Sequence, residues 1–203
     1  MFRVLAFLGC LVAATPVAAG PPRVVAHPPL PAWSVGVSFG GLAASLGPVA
    51  VGGMGGTAEL ALGHERWQLF GEATVMRVTA GDHDAPVVGM RQRAGLGARY
   101  LARSFHLDRS GGVELMLEAG LGAEAYRWSG GGHLARPDLG FGWSVKVRMF
   151  HLPLSVGLGI RLAVSPSFGD TGTAARVVCR GVCPPTAARP LDFSFSPTLG
   201  ISW

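Results

Sequence analysis

The 203-residue sequence contains little charge, since only 14% of its residues are Asp, Glu, Lys or Arg, whereas ordinary soluble domains have about 25%. It also lacks long apolar runs, because glycine or a charged residue interrupts every run after the N-terminal one. A transmembrane helix needs about 20 consecutive apolar residues. The low charge disfavours an ordinary soluble protein, and the short runs disfavour a helical membrane protein.

Apolar residues are nevertheless abundant: they make up 49% of the chain, alongside 31 glycines and 15 prolines, and the mean hydropathy is +0.38. High hydropathy without long apolar runs is typical of a membrane β-barrel, because only every second residue of its strands faces lipid. The composition does not change abruptly along the chain, which favours a single domain.

Cysteine is scarce, and its three positions depend on how the N-terminus is processed. Residues 1–19 have the features of a secretory signal peptide, with Arg3, an apolar stretch and small residues up to Ala19. We expect cleavage after Ala19, which removes Cys10. Cys10 is a poor lipoprotein site, because only nine residues precede it and the apolar region continues beyond it. Cys179 and Cys183 then remain as an even pair in an exported chain, which predicts a disulfide.

The net charge of +5 does not indicate a nucleic-acid partner. The basic residues alternate with apolar ones and form no patch, and an exported protein does not normally meet DNA. We therefore expect no nucleic-acid binding.

Hydrophobic periodicity divides the mature chain into two parts. Residues 20–32 contain five prolines and predict an extended periplasmic tether. Residues 33–203 contain eight segments in which apolar residues alternate with glycine, polar or charged ones, as in half-exposed strands. The joins are expected to be short at 63–66 and 150–153, and longer at 80–86, 129–137 and 165–190. The join at 104–112 is longer than the regular alternation of short and long connections predicts.

The last strand has the pattern Phe193-x-Phe195-x-x-x-Leu199-x-Ile201-x-Trp203. With the period-two pattern, it makes residues 33–203 resemble the eight-stranded outer-membrane barrels of the outer-membrane-protein-A type. The resemblance implies an all-β, antiparallel, up-and-down transmembrane barrel in a bacterial outer membrane, whose last strand is read by the barrel-assembly machinery. Trp203 stands where that family more often has Phe, and Pro197 predicts a bulge or weak pairing. A soluble lipocalin-like barrel, with its apolar face turned inward, is the alternative.

The polar face of the predicted strands carries six acidic and six basic residues. Charges removed from water are tolerated only when they are paired and hydrogen-bonded, so this balance predicts an ion-pair network inside the barrel. Four strands also contain glycine-apolar-glycine, which indicates a crowded interior. The twelve predicted lumen residues are Glu59, Glu72, Arg91, Arg93, Arg99, Glu114, Glu118, Glu124, Lys146, Arg148, Arg161 and Asp192.

Aromatic residues mark one end of the predicted strands. If the first strand runs outward, Trp33, Trp67, Tyr100 and Trp203 all fall at periplasmic strand ends, where an aromatic girdle is expected.

The sequence predicts no catalytic, cofactor-binding or metal-binding residues. The six histidines fall in the tether, turns or loops without metal-ligand spacing, and no Ser/His/acid set lies at one lipid-facing depth. Outer-membrane lipid is the expected partner, and the arginines of the last loop make lipopolysaccharide a further candidate. We expect a structural or surface-interaction barrel closed by ion pairs. A narrow pore for small solutes is the alternative, and a lipid-modifying enzyme is the third hypothesis.

The processing hypothesis predicts a mature protein that begins at Gly20, because small residues precede that bond and Pro16 ends the apolar stretch. N-terminal sequencing of the outer-membrane fraction measures this directly. A mature chain that starts at a lipid-modified Cys10 would contradict it.

The cysteine hypothesis predicts that Cys179 and Cys183 are bridged within the last loop, on the extracellular side. Because the closed ring is small, its stabilisation should stay below the roughly 3 kcal/mol expected for a 15-residue ring. Mass spectrometry of the unreduced protein should find no free thiol, so quantitative alkylation without reductant would rule the bridge out.

Overall fold

The computed structural model describes residues 30–47, 49–80, 86–106, 111–129, 131–149, 152, 154–166 and 191–203. These residues form eight strands of 12 to 20 residues each. The strands are β1 (Trp33–Leu46), β2 (Val49–His64), β3 (Trp67–Ala80), β4 (Val87–His106), β5 (Gly111–Trp128), β6 (His133–Met149), β7 (Leu154–Pro166) and β8 (Leu191–Ser202).

The eight strands form one closed sheet in which each strand pairs antiparallel with its neighbours in sequence. The barrel closes where β8 pairs with β1, and Val35 and Trp203 exchange backbone hydrogen bonds of 2.8 and 2.9 Å there. Closure leaves no free sheet edge. The predicted fold class, an eight-stranded antiparallel up-and-down barrel, is confirmed.

Apolar side chains cover the outside of the barrel, which reverses the arrangement of a soluble protein. Leu96 and Leu121, for example, are 72% and 68% exposed. The residues that alternate with these outward side chains along the strands point inward, and most of them are glycine, hydroxyl or charged residues. This excludes the lipocalin-like alternative, which requires the apolar face inside.

Two of the predicted connections are wrong. β6 begins at His133, so residues 133–137 are strand and not loop. Pro137 is tolerated because β6 pairs with β7 only from Leu139 onward, which leaves the strand with an open side at Pro137. The fourth connection comprises only residues 107–110, because β4 continues to His106. A register shift between Leu101 and Arg103 breaks the period-two pattern and conceals this continuation in the sequence.

The pairing of β8 is interrupted near Pro197, as predicted. β1 and β8 pair up to Gly40 and Thr198, and pairing resumes only at Ala43 and Phe195. Proline lacks the N–H group that a strand partner needs. The closing seam of the barrel is therefore its least continuous ladder.

Candidate functional site

The interior of the barrel, here called the lumen, contains all twelve of the charged residues that the sequence assigns to it. The structure adds Arg136 and Asp138 of β6, which are 4% exposed each. The sequence analysis missed both because it placed them in or beside a loop that ends at Pro137. Seven cations therefore face seven carboxylates inside the described barrel, and the lumen has no net formal charge.

The end of the barrel that carries the β1–β2 turn is here called the outer end. The charges near it form a chain across four strands. Arg91 of β4 places Nε and Nη2 at 2.8 Å from Glu124 Oε2, and Arg136 Nε donates to Glu124 Oε1 at 2.7 Å. Arg136 Nη1 then donates to Asp192 Oδ2 of β8 at 2.5 Å. Asp192 Oδ1 in turn accepts the N–H of Gly47 at 2.9 Å, so the chain reaches the β1–β2 turn.

The charges at mid-height form a ring across the bore. Arg93 donates Nε to Asp138 Oδ2 at 2.8 Å and Nη1 to Glu72 Oε1. Arg161 of β7 donates Nη1 to the same Glu72 oxygen at 2.5 Å, and its Nη2 lies 3.8 Å from Asp138 Oδ2. The ring joins β3, β4, β6 and β7, and its four side chains fill that side of the bore.

A third group of charges lies toward the end of the barrel where β1 begins and β8 ends. Arg99 donates Nη1 and Nη2 to the two oxygens of Glu59, both at 2.7 Å, and Nε to Glu118 at 3.0 Å. Its guanidinium carbon also lies 4.4 Å from the ring centroid of Phe70, which points inward and is 3% exposed. Phe70 is an aromatic residue at an inward position of β3, and its stacking on Arg99 explains that position.

Two more lumen cations complete the set. Arg148 Nη1 lies 3.3 Å from Glu114 Oε1. Lys146 has no described carboxylate oxygen within 4.0 Å, and it lines a small cavity together with Glu59 and Glu118. Every other lumen charge has an ion pair among the described residues.

The inward glycines make room for these side chains. A Cβ atom at Gly122 would lie 2.6 Å from Arg93 Nη2, and one at Gly142 would lie 2.8 Å from Glu118 Oε1. At Gly97, a Cβ would lie 2.5 Å from the Phe70 ring. A Cβ atom does not come so close to a non-bonded atom, so the glycine-apolar-glycine pattern reflects a crowded interior, as predicted.

Apolar side chains close both ends of the lumen. At the outer end, inward residues of β1, β2, β3 and β5 form a buried cluster that includes Leu46, Val51, Val78 and Trp128. At the opposite end, Leu30 of the predicted tether is buried with Leu101 and Met116, and its N–H donates to Glu65 O at 3.1 Å. The charged layers therefore lie between two apolar layers.

The charges leave part of the lumen empty. A cavity of about 120 Å³ lies between them and the inner wall of β1, β7 and β8. That wall presents small residues such as Ser38, Gly159, Ser196 and Thr198. Such a polar cavity is large enough for several water molecules.

The four predicted girdle residues share one end of the barrel. Trp67 and Tyr100 are register partners with ring centroids 4.8 Å apart, and Trp33 and Trp203 are 62% and 50% exposed. The register extends the row from Tyr100 through Leu117 to Trp143. Trp143, which is 40% exposed, is a further outward aromatic residue in the interior of β6, and the tilt of the strands places it deeper in the apolar surface than the four girdle residues.

Several predicted features fall outside the described residues: the signal peptide 1–19, most of the tether 20–32, and Cys179 and Cys183. Within the part of the chain that is described, no helix is long and apolar enough to cross a membrane. Among the same residues, no group of three or more His, Cys, Asp and Glu side chains could hold a metal ion.

Comparison with known proteins identifies the fold. No family model and no curated protein match the sequence. Among solved structures, Neisserial surface protein A matches with a TM-score of 0.55 at 12% identity, covering 85% of this chain and 96% of that chain. Ail, the attachment invasion locus protein of Yersinia pestis, covers 84% of this chain and 97% of its own at 10% identity, with a TM-score of 0.42. The chain has the fold of the small eight-stranded outer-membrane barrels.

Proposed function

We propose that the protein is a non-catalytic outer-membrane barrel with a closed lumen, which acts through its structure and its exposed surface. The observation that carries this proposal is the ring of Arg93, Glu72, Arg161 and Asp138 across the bore. Both carboxylates of the ring pair with arginines, which is the arrangement of a structural ion-pair network and not of a paired acid and base.

The outward side chains support the membrane location. On β3, Arg77 lies ten positions after the girdle residue Trp67. Ten positions along an extended strand span about 33 Å. With a strand tilt of about 40°, this corresponds to a height of about 25 Å, as expected for the apolar band of an outer-membrane barrel. The exposed apolar surface of the barrel is thus matched to a bilayer and not to water.

The lengths of the connections support the orientation and the surface role. β1 begins and β8 ends at the girdle end, and the connections at that end are short, which supports assigning it to the periplasm. At the other end, residues 167–190 connect β7 to β8, and this connection is the longest in the barrel. It contains Cys179, Cys183 and three arginines, and we assign surface interaction to it.

The last strand fits the proposed interaction with the barrel-assembly machinery. Phe193, Phe195, Leu199 and Ile201 all point outward along β8 and are 40 to 62% exposed. Because β8 is also the strand that closes the barrel against β1, an outward apolar row at the C-terminus is available for recognition before closure.

The alternative function, a narrow pore, is supported by the cavity of about 120 Å³ beside the small residues of β7 and β8. Three layers oppose it: the outer apolar cluster, the ion-pair ring, and the apolar contact of Leu30 with Leu101 and Met116. An eight-stranded barrel is only wide enough for its side chains to fill. The closed barrel is therefore the better-supported function.

We expect the purified wild-type protein to give no steady conductance in planar bilayers, because all three layers obstruct the bore. A porin reconstituted in the same bilayers serves as the positive control. Stable channels whose cation preference falls in the Glu72→Gln variant would show that ions pass through the lumen, and the pore would then replace the closed barrel.

We expect Arg99→Ala to lower the free energy of unfolding by on the order of 3 kcal/mol, because it leaves Glu59 and Glu118 buried without their cation. Glu118→Ala should cost less, since Arg99 keeps both bonds to Glu59. Urea-induced unfolding in lipid vesicles measures both changes. Arg66→Ala is the matched control, because Arg66 is exposed in the β2–β3 turn. Equal stability of Arg99→Ala and the control would contradict the ion-pair network.

A further inference from the structure

A row of basic side chains crosses the outer surface of the barrel near its outer end. Strand register aligns Arg77 of β3, Met90 of β4, Arg127 of β5 and His133 of β6 in one row. All four residues are exposed. Neighbouring strands lie about 4.8 Å apart, so the backbones of the two arginines are about 10 Å apart, with Met90 between them.

These two arginines have no counter-charge on the described surface. Neither forms an ion pair with a described residue, and the described wall carboxylates point into the lumen, except Glu65 in the turn at the opposite end. The next outward row toward the middle of the membrane adds Gln92, a polar residue on an otherwise apolar surface. Among the described residues, this end of β3, β4 and β5 therefore presents positive charge and hydrogen-bond donors without a carboxylate on the outer surface.

An apolar groove begins on the same strands below this row. Its floor contains Ala58, Ala73 and Ala94, which are register partners, and its rim contains Leu60, Leu96 and Leu121. Ala73 lies four residues from Arg77 along β3, which is about 13 Å. The leucines lie in one register row on the girdle side of the alanines, so the groove is bounded there by large side chains and its alanine floor can carry a hydrocarbon chain.

We propose that this surface is a binding site for the phosphorylated glycolipid of the outer leaflet, lipid A, and the site rests on the proposed outer-membrane location. Arg77 and Arg127 bind its phosphates, since a guanidinium matches a phosphate with two parallel hydrogen bonds. Gln92 supplies a further polar contact, and one acyl chain lies along the alanine floor.

The position of the site selects a lipid over a protein partner. The basic row stands about 25 Å above the girdle, where the headgroups of the outer leaflet lie, and the groove lies inside the apolar band. Two cations about 10 Å apart match a headgroup with more than one phosphate better than one with a single phosphate. We therefore commit to lipid A and not to a glycerophospholipid.

The test compares lipid retention by three variants in phosphatidylcholine nanodiscs. The probe is diphosphoryl lipid A, detected on the intact barrel by native mass spectrometry, with monophosphoryl lipid A and phosphatidylglycerol as competitors. The variants are Arg77→Gln/Arg127→Gln, the matched control Arg66→Gln/Arg103→Gln at the girdle end, and Ala73→Phe/Ala94→Phe, which fills the groove. Circular dichroism establishes that each variant is folded.

We expect about tenfold weaker retention of lipid A in Arg77→Gln/Arg127→Gln, the change that loss of charged hydrogen bonds produces. The control should equal wild type, and Ala73→Phe/Ala94→Phe should also bind more weakly. Equal loss in both arginine pairs would show general attraction to charge and overturn the site. Equal competition by phosphatidylglycerol would overturn lipid A as its ligand, and unchanged binding in the filled groove would overturn the acyl-chain contact.

This result is independent of the proposed closed lumen. A barrel without conductance that shows no preference for lipid A refutes the lipid site alone. A barrel that conducts ions steadily but prefers lipid A through Arg77 and Arg127 refutes the closed lumen alone.

Discussion

The structure depends on one constraint: every charge inside a narrow barrel must have a partner inside the same barrel. Eight strands leave a bore that side chains fill, and lipid surrounds it, so a lumenal charge has little access to water. Seven cations and seven carboxylates balance inside the described barrel: six of the cations form direct ion pairs, and Lys146 lines the cavity beside Glu59 and Glu118. Long side chains also need space, and the inward glycines at 97, 122 and 142 provide it. Charge balance and glycine placement are therefore two parts of one packing solution.

The sequence predicts much of this arrangement because the period of a strand is simple. Alternation alone places twelve charges and four girdle residues on the correct faces. The prediction fails where the pattern is interrupted: the register shift after Leu101 hides the end of β4, and Pro137 makes the first part of β6 look like a loop. Arg136 and Asp138 were missed for that reason, although they complete the outer chain and the central ring.

The sequence does not show which charges of the lumen pair with one another. Glu72 and Arg161 are 89 residues apart and belong to β3 and β7, which are not neighbours in the sheet. Their contact depends on strand tilt and on the direction in which each side chain leans across the bore. Alternation fixes only the face of each residue. The basic row near the outer end likewise cannot be found from the sequence alone. Arg77 and Arg127 come together only through the register of β3, β4 and β5.

The long-range reach of the ion pairs has a consequence for assembly. Asp192 belongs to the last strand, while its partners Arg136 and Gly47 belong to β6 and the first turn. A chain that has inserted only its first seven strands would therefore leave Arg136 with one acceptor fewer, in a medium that solvates ions poorly. Arrival of the final strand both joins the sheet edges and neutralises the interior. Closure of the barrel wall and pairing of the interior charges are therefore coupled in the same step of assembly.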